Sequence, residues 1–327
     1  MDTLYLATVD GLVIAERAGG EWAIRRRGLE GRAVTSVIAR EGVVLAGTRE
    51  GVWRSDDDGA TWAEASAGLA VRHVRWLAYH PDISDREFAG TEPAAVYVSH
   101  DGAASWRECP EVTGLRERFE WYLPYSPEAG CVRGFAFHGR RAYAAVEVGG
   151  VLRSDDAGES WRLAEGSSGD PEAEPGPDVH PDVHSLAVHP SSPDLVAAPT
   201  GGGFYRSADG GRSWELLYYC YCRAVWLDPR DPNRMVLGPA DNVDRRGRIE
   251  VTLDGGRSWQ PAATNAGLPW PRHMVERFAQ AGDELLAVLS NGALLAAPLE
   301  ALRAGQAVEW RRLLGAAGRV AAVAVAG

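Results

Sequence analysis

Lysine is absent from this chain of 327 residues, so all 34 of its basic residues are arginine. That excludes Schiff-base catalysis, and it excludes the phosphate cradles that rely on a P-loop or kinase lysine. Cysteine is scarce, and four residues are too few for a disulfide scaffold. Only Cys109 and Cys131, which flank one loop, are placed in a way that suggests a bridge. No apolar run approaches the roughly 18 residues of a membrane span. Met1 and Asp2 lead straight into a strand-like stretch at 4–9, not into a basic and then apolar leader, so a cytoplasmic protein is expected. A basic surplus is missing too. The formal charge of -11 argues against nucleic acid or an anionic membrane as a partner.

What is present is a globular composition, 45% hydrophobic and 24% charged, organised by repeats. Five segments follow Ser/Thr-x-Asp-x-Gly-x-Ser/Thr-Trp, at 55–62, 99–106, 154–161, 207–214 and 252–259, the second with Ala103 at the Gly position. A short Asp-x-Gly turn between strands needs a side-chain acceptor for its amides and a residue free to take positive φ. The Asp residues are therefore read as structural, and the Trp as a plug between neighbours. The pattern resembles the BNR or Asp-box repeat of sialidases, sortilin-type receptors, xyloglucanases and a photosystem assembly factor. That resemblance implies a β-propeller with the boxes on the face away from the ligand site.

Trp22 and Trp310 hold equivalent places in two degenerate repeats, so Trp recurs at 22, 62, 106, 161, 214, 259 and 310. Seven such units of about 40 to 55 residues suit four-stranded blades that must close a ring to bury their faces. The expected fold is all-β, a single seven-bladed propeller over 1–327. Apolar segments at 34–39, 74–79, 132–137, 183–188, 222–227, 274–279 and 320–325 read as innermost strands. The last has no box after it, so it should return beside 4–9 and close the ring by pairing the two termini.

Innermost strands of propellers start at the face that carries the loops between blades, so their second residues should ring the channel mouth. These are Thr35, Arg75, Arg133, His184, Arg223, Val275 and Ala321. Converging guanidinium groups suit a carboxylate, sulfate or phosphate. They also suit ion pairing with Glu92, Glu147 and Asp241, which follow second strands at the same face, and both uses stay open. Trp121, Tyr122, Tyr125, Tyr221, Trp270 and His273 lie on loops feeding this mouth, where they stack on a ligand or pack over the channel. Glu147, Asp182 and His184 form the candidate catalytic group, with Glu120 as a further carboxylate. The three would hold a divalent metal only if another good ligand joined them, and no metal or other cofactor is expected.

The Asp-box resemblance implies the fold more strongly than any chemistry. Sialidases carry an early Arg-Ile-Pro segment that this chain lacks, and xyloglucanases of the superfamily pair two propellers where only one is found here. The chain looks closest to bacterial single-propeller proteins with Glu-x-Gly-Gly before a box, here 147–150, and Asp-x-His before an inner strand, here 182–184. The expected function is binding of an anionic small molecule, glycan or protein segment at the Arg-rich mouth. The alternatives are glycoside cleavage by carboxylates at the same face, and a protein-assembly scaffold.

Overall fold

The computed structural model describes residues 2–126, 129–173, 177–265 and 267–326. They form seven antiparallel sheets of four strands each, arranged as the blades of a propeller and numbered here from the N-terminus. Blade 1 is closed from both ends of the chain. Its innermost strand is the C-terminal Val320–Ala326, its second is the N-terminal Thr3–Thr8, and Tyr5 pairs with Ala324. Blades 2 to 7 begin on innermost strands Val34–Arg40, Val74–Tyr79, Cys131–His138, Ala187–His189, Tyr221–Leu227 and Val275–Ala281.

Blade sheets are apolar on both faces, so each must be covered by its neighbours. Seven buried clusters do this, one between each consecutive pair of blades, including the pair that closes the ring. Leu4, Leu6, Val13 and Ala15 of blade 1, for instance, meet Leu286, Val288 and Ala296 of blade 7. The repeat tryptophans fill the outer ends of these seams. Trp106 donates from Nε1 to Ala65 O, and Trp310 to Ala262 O, each reaching back to the preceding blade. Burying an indole of that size contributes about 4 to 6 kcal/mol before the entropy of fixing it.

The five boxes share one hydrogen-bond pattern. In the first, Ser55 Oγ accepts from Gly59 N and donates to Asp57, whose carboxylate accepts from both the amide and the hydroxyl of Thr61. Asp101, Asp156, Asp209 and Asp254 repeat it. The glycine position lies at positive φ in every box, including Ala103 at φ 67°. These aspartates are thus fully engaged by their own turns.

Two elements depart from the sequence reading. The innermost strand of blade 5, expected over 183–188, is regular only at Ala187–His189, with Val183 joined to Thr200 by a single bridge. The connection after Trp106, read as a loop, contains helix α1, Pro110–Arg118. Proline at its first turn, Glu111 beside it and arginines in its last turn are the usual terminal signals. All four cysteines are free and buried, so Cys109 and Cys131 are not bridged.

Candidate functional site

Every innermost strand carries one extra residue near the mouth. Registers with the second strand slip by one between Val34 and Ser36, Val74 and Trp76, Val132 and Gly134, Cys222 and Val225, and Val275 and Arg277, and beside Ala321 in blade 1. In blade 5 the same slip separates the Val183–Thr200 bridge from the Ala187–Ala197 pair. A bulge leaves its extra residue outside the ladder and re-aims its side chain. The residues so placed are Thr35, Arg75, Arg133, His184, Arg223, Glu276 and Ala321. Six match the sequence reading. In blade 7 the alignment was one residue early, because Met274 and Val275 are both apolar and both buried, and the ring position belongs to Glu276 rather than Val275.

That shift changes the electrostatics of the mouth. Arg75 pairs with Glu92 at 2.9 Å and Arg133 with Glu147 at 3.1 Å. Arg223 does not pair with Asp241, whose partners are Arg246 and Arg248. It pairs with Glu276 of the neighbouring blade 7, which also reaches across the channel to stand 3.5 Å from Arg133 of blade 4. Burial opposes ionisation of Glu147 and Glu276, but the surrounding arginines outweigh it and hold both carboxyls below the usual range.

Arg277, the residue after the ring position, spans the channel. Its guanidinium donates to Arg133 O of blade 4 at 2.8 Å and His184 O of blade 5 at 3.3 Å, and lies 4.2 Å from the ring centroid of Trp76 in blade 3. Burial first, then Arg133, pulls its pKa down, though a guanidinium stays charged at neutral pH. Above it opens a cavity of about 300 Å³ lined by Arg49, Arg75, Arg133, Arg277, Arg319 and Glu276, with Val9, Val34, Leu289 and Val320 as apolar wall. Among the described residues, no carboxylate lies within ion-pairing distance of Arg49, Arg277 or Arg319.

The opposite side of the mouth holds the acidic group. Glu147, Asp182 and His184 each present an atom within 4.8 Å of the others. A turn brings them together: after Glu147 the chain reverses through Val148 at φ 58° and Gly150 at φ 84°, and the amides of Gly149 and Gly150 both donate to Pro181 O. Gly149 is required there, since a Cβ would stand 2.5 Å from Val146 and 2.9 Å from Trp121. His184 Nε2 lies 3.2 Å from both Asp182 Oδ2 and Tyr221 Oη, and its Nδ1 faces Cys222 O at 2.8 Å. Tyr221 in turn accepts from Arg223 Nε at 3.2 Å. Burial penalises the Asp182 carboxylate, but His184 more than offsets this and keeps its pKa low. Glu147 also accepts from Cys131 Sγ at 3.2 Å. Glu120 is exposed and outside the group. The three ligand-type atoms would fit a divalent cation in number, yet Arg133 and Tyr221 already engage two of them.

The aromatic candidates divide. Trp121 is 2% exposed, lies in the seam between blades 3 and 4, and donates to Gly169 O, so both its faces are packed. Trp270 is buried in the blade 6 to 7 seam and stacks on His273 at 5.1 Å. Tyr122 and Tyr125 remain exposed, Tyr122 donating to Glu172 at 2.8 Å. Two of the aromatics join the charged network: Tyr125 through a hydrogen bond to Glu147, and Tyr221, at the start of the innermost strand of blade 6, through His184 and Arg223. Sequence reasoning missed Glu276, Arg277, Trp76, Arg49 and Arg319. The repeated pair of an apolar residue and then a charged one, Val74-Arg75, Val132-Arg133, Cys222-Arg223 and Val275-Glu276, was the signal for the first of these.

Fold and mouth together define the class as a seven-bladed β-propeller of four-stranded blades with a charged, bulge-built channel entrance. Solved structures agree on the fold. The chain is similar to YCF48 from Cyanidioschyzon merolae (12% identity, covering 90% of this chain and 91% of that one, TM-score 0.62). It is similar to YCF48 bound to D1 peptide (14%, 86% and 84%, TM-score 0.59). An ancestral GH74 enzyme also matches (18%, TM-score 0.60), over 81% of this chain but only 36% of that enzyme's length. No family model and no curated protein matches the sequence.

Proposed function

We propose that this propeller is a binding module that takes an anionic ligand into the arginine-lined cavity at the mouth of its channel. The observation that carries this reading is Arg277, a charged guanidinium at the cavity floor with no carboxylate partner among the described residues. Around the floor, Arg75, Arg133 and Arg223 are ion-paired with Glu92, Glu147 and Glu276, which leaves Arg277 as the guanidinium without a carboxylate on it among the described residues. Two further cations, Arg49 and Arg319, stand at the entrance. An anion entering this site gains paired donors that need no reorganisation. The solved YCF48 complex holds a D1 peptide, so a propeller of this fold can accommodate a protein segment, and the proposal extends to an acidic segment.

Glycoside cleavage by Glu147 and Asp182 has less support. That chemistry needs one carboxyl kept protonated near neutral pH. Both carboxyls here are held low.

The test is a thermal-denaturation panel of carboxylates, sulfate, phosphate and neutral sugars with wild type and Arg277→Met. A ligand at 100 times its Kd adds about 2.7 kcal/mol. With an unfolding entropy of about 2.1 cal/mol/K per residue, that is a rise of roughly 4 °C. Anions should raise the melting temperature of wild type and not of the variant. Shifts from neutral sugars alone, or equal shifts in both proteins, would sink the reading.

A further inference from the structure

Resting on that reading, we infer that the cavity is built for a small organic dianion: two terminal carboxylates joined by an apolar spacer. The inference comes from how charge and apolar surface are distributed with depth. At the floor, Arg277 spends two of its five N–H groups on Arg133 O and His184 O and keeps the others for a guest. At the entrance, Arg49 directly follows the second strand of blade 2, which ends at Thr48. Arg319 directly precedes the innermost strand of blade 1, which begins at Val320. Both are exposed, and neither has an ion-pair partner among the described residues. Floor and entrance thus each offer an unpaired cation, and all three line the same cavity.

The same cavity lining carries hydrocarbon from Val9, Val34, Leu289 and Val320, alongside Trp76 and the Glu276 carboxylate. The polar side chains at this level are largely occupied. Thr35 donates to the Gly47 and Val74 carbonyls, and Ser290 Oγ accepts from Met274 N. A compact inorganic oxyanion would touch Arg277 but leave this wall unfilled, and it would give up a tightly held hydration shell for little contact. A monocarboxylate with an apolar tail would cover the wall and leave Arg49 and Arg319 without a partner. A chain of a few methylenes with a carboxylate at each end satisfies all three levels. Its bulk suits a cavity of about 300 Å³, which lies at the small end of ligand pockets.

The experiment is isothermal titration of the full chain with linear α,ω-dicarboxylates from succinate to suberate, the monocarboxylates of matching length, and inorganic phosphate. Each is run on wild type and on Arg49→Gln/Arg319→Gln, two exposed positions whose change leaves the folded network intact. The expected result is a dicarboxylate at least tenfold tighter than its monocarboxylate in wild type, with a preferred chain length. The double variant should weaken the dicarboxylate at least tenfold and the monocarboxylate by a much smaller factor, so that the two series bind nearly alike. Equal binding of the two series in wild type, or phosphate tighter than every dicarboxylate, overturns this inference but leaves an anion site standing. Failure of all three classes to bind wild type overturns both.

Discussion

Glu276 holds two arginines from other blades, so neutralising it should move stability and ligand affinity in opposite directions. In Glu276→Gln the amide keeps the shape and one acceptor, but Arg223 and Arg133 lose their shared negative charge and Arg277 its nearest compensation. Breaking a buried ion pair by removing one partner costs about 3 to 5 kcal/mol, since the remaining charge stays buried. For 327 residues, at about 2.1 cal/mol/K of unfolding entropy per residue, the melting temperature should fall by roughly 4 to 7 °C. An anion bound on Arg277 is meanwhile relieved of repulsion. At about 6 Å and an effective dielectric constant of about 20, Coulomb's law puts that repulsion near 3 kcal/mol, and screening reduces it. Affinity for the best carboxylate of the panel should therefore rise about tenfold or more. The assay pairs scanning calorimetry at pH 7 with titration of that carboxylate. A fall of less than about 1 °C together with unchanged or weaker binding would refute the assigned role of Glu276.

Three further outcomes follow from particular contacts. Glu147, Asp182 and Glu276 have folded-state pKa values below those of the unfolded chain, so the stability they confer is present above about pH 4.5 and is lost as pH falls through their lower folded values. Thermal melts should be nearly flat from pH 7 to 5 and drop steeply below pH 4, and a steep drop already at pH 6 would contradict this. Gly158→Ala should destabilise by about 2 to 4 kcal/mol, because φ is 87° and a Cβ would stand 2.2 Å from Phe88, and a urea midpoint within error of wild type would show the turn to be slack. Deleting 319–327 removes Val320–Ala326 and leaves Thr3–Thr8 as an open edge carrying buried Leu4 and Leu6, so gel filtration should show aggregate, and a monodisperse monomer would argue against closure by the termini.

The fold was legible because each blade repeats its punctuation. A Trp closes every unit, a turn with one engaged Asp marks five of them, and an apolar run after the last Trp has no other place to go than beside the N-terminal strand. The site was legible only where a residue's height along its strand could be counted from an unambiguous apolar neighbour. Arg75 and Arg223 each follow one buried residue whose predecessor is partly exposed, and they were placed correctly. Arg133 follows two buried residues, Cys131 and Val132, and was still placed correctly, whereas Glu276 follows Met274 and Val275, two aliphatic-like residues either of which could open the strand, and there the count slipped by one. Arg277 could not be read at all, since its contacts, to the backbones of Arg133 and His184, are made across a channel that exists only once the ring has closed. Trp121 and Trp270 illustrate the converse. Their loop position suggested exposed faces, but a large indole beside a blade seam gains more by filling it than by facing water.

The bulges explain how one scaffold tolerates so varied a ring. In a regular strand the side chain after a buried one alternates to the opposite face, which in a propeller is also a blade seam, so its chemistry is constrained by packing. An extra residue breaks that alternation and turns one side chain per blade out of both seams toward the channel. The flanking residues are accordingly uniform and buried: Val34, Val74, Val132, Val183, Cys222, Val275 and Val320. The bulged residues are not, running through Thr35, Arg75, Arg133, His184, Arg223, Glu276 and Ala321. Substitution at these seven positions changes the charge of the mouth without opening a cavity in any seam. Blades 3, 4 and 6 supply arginine, blade 7 supplies the carboxylate that ties two of them together, and blades 1 and 2 supply the small residues Ala321 and Thr35, which leave room for the cavity above Arg277. The opening is therefore set by which blades carry small ring residues, and replacing Ala321 or Thr35 with arginine would fill it from the side while leaving all seven seams as they are.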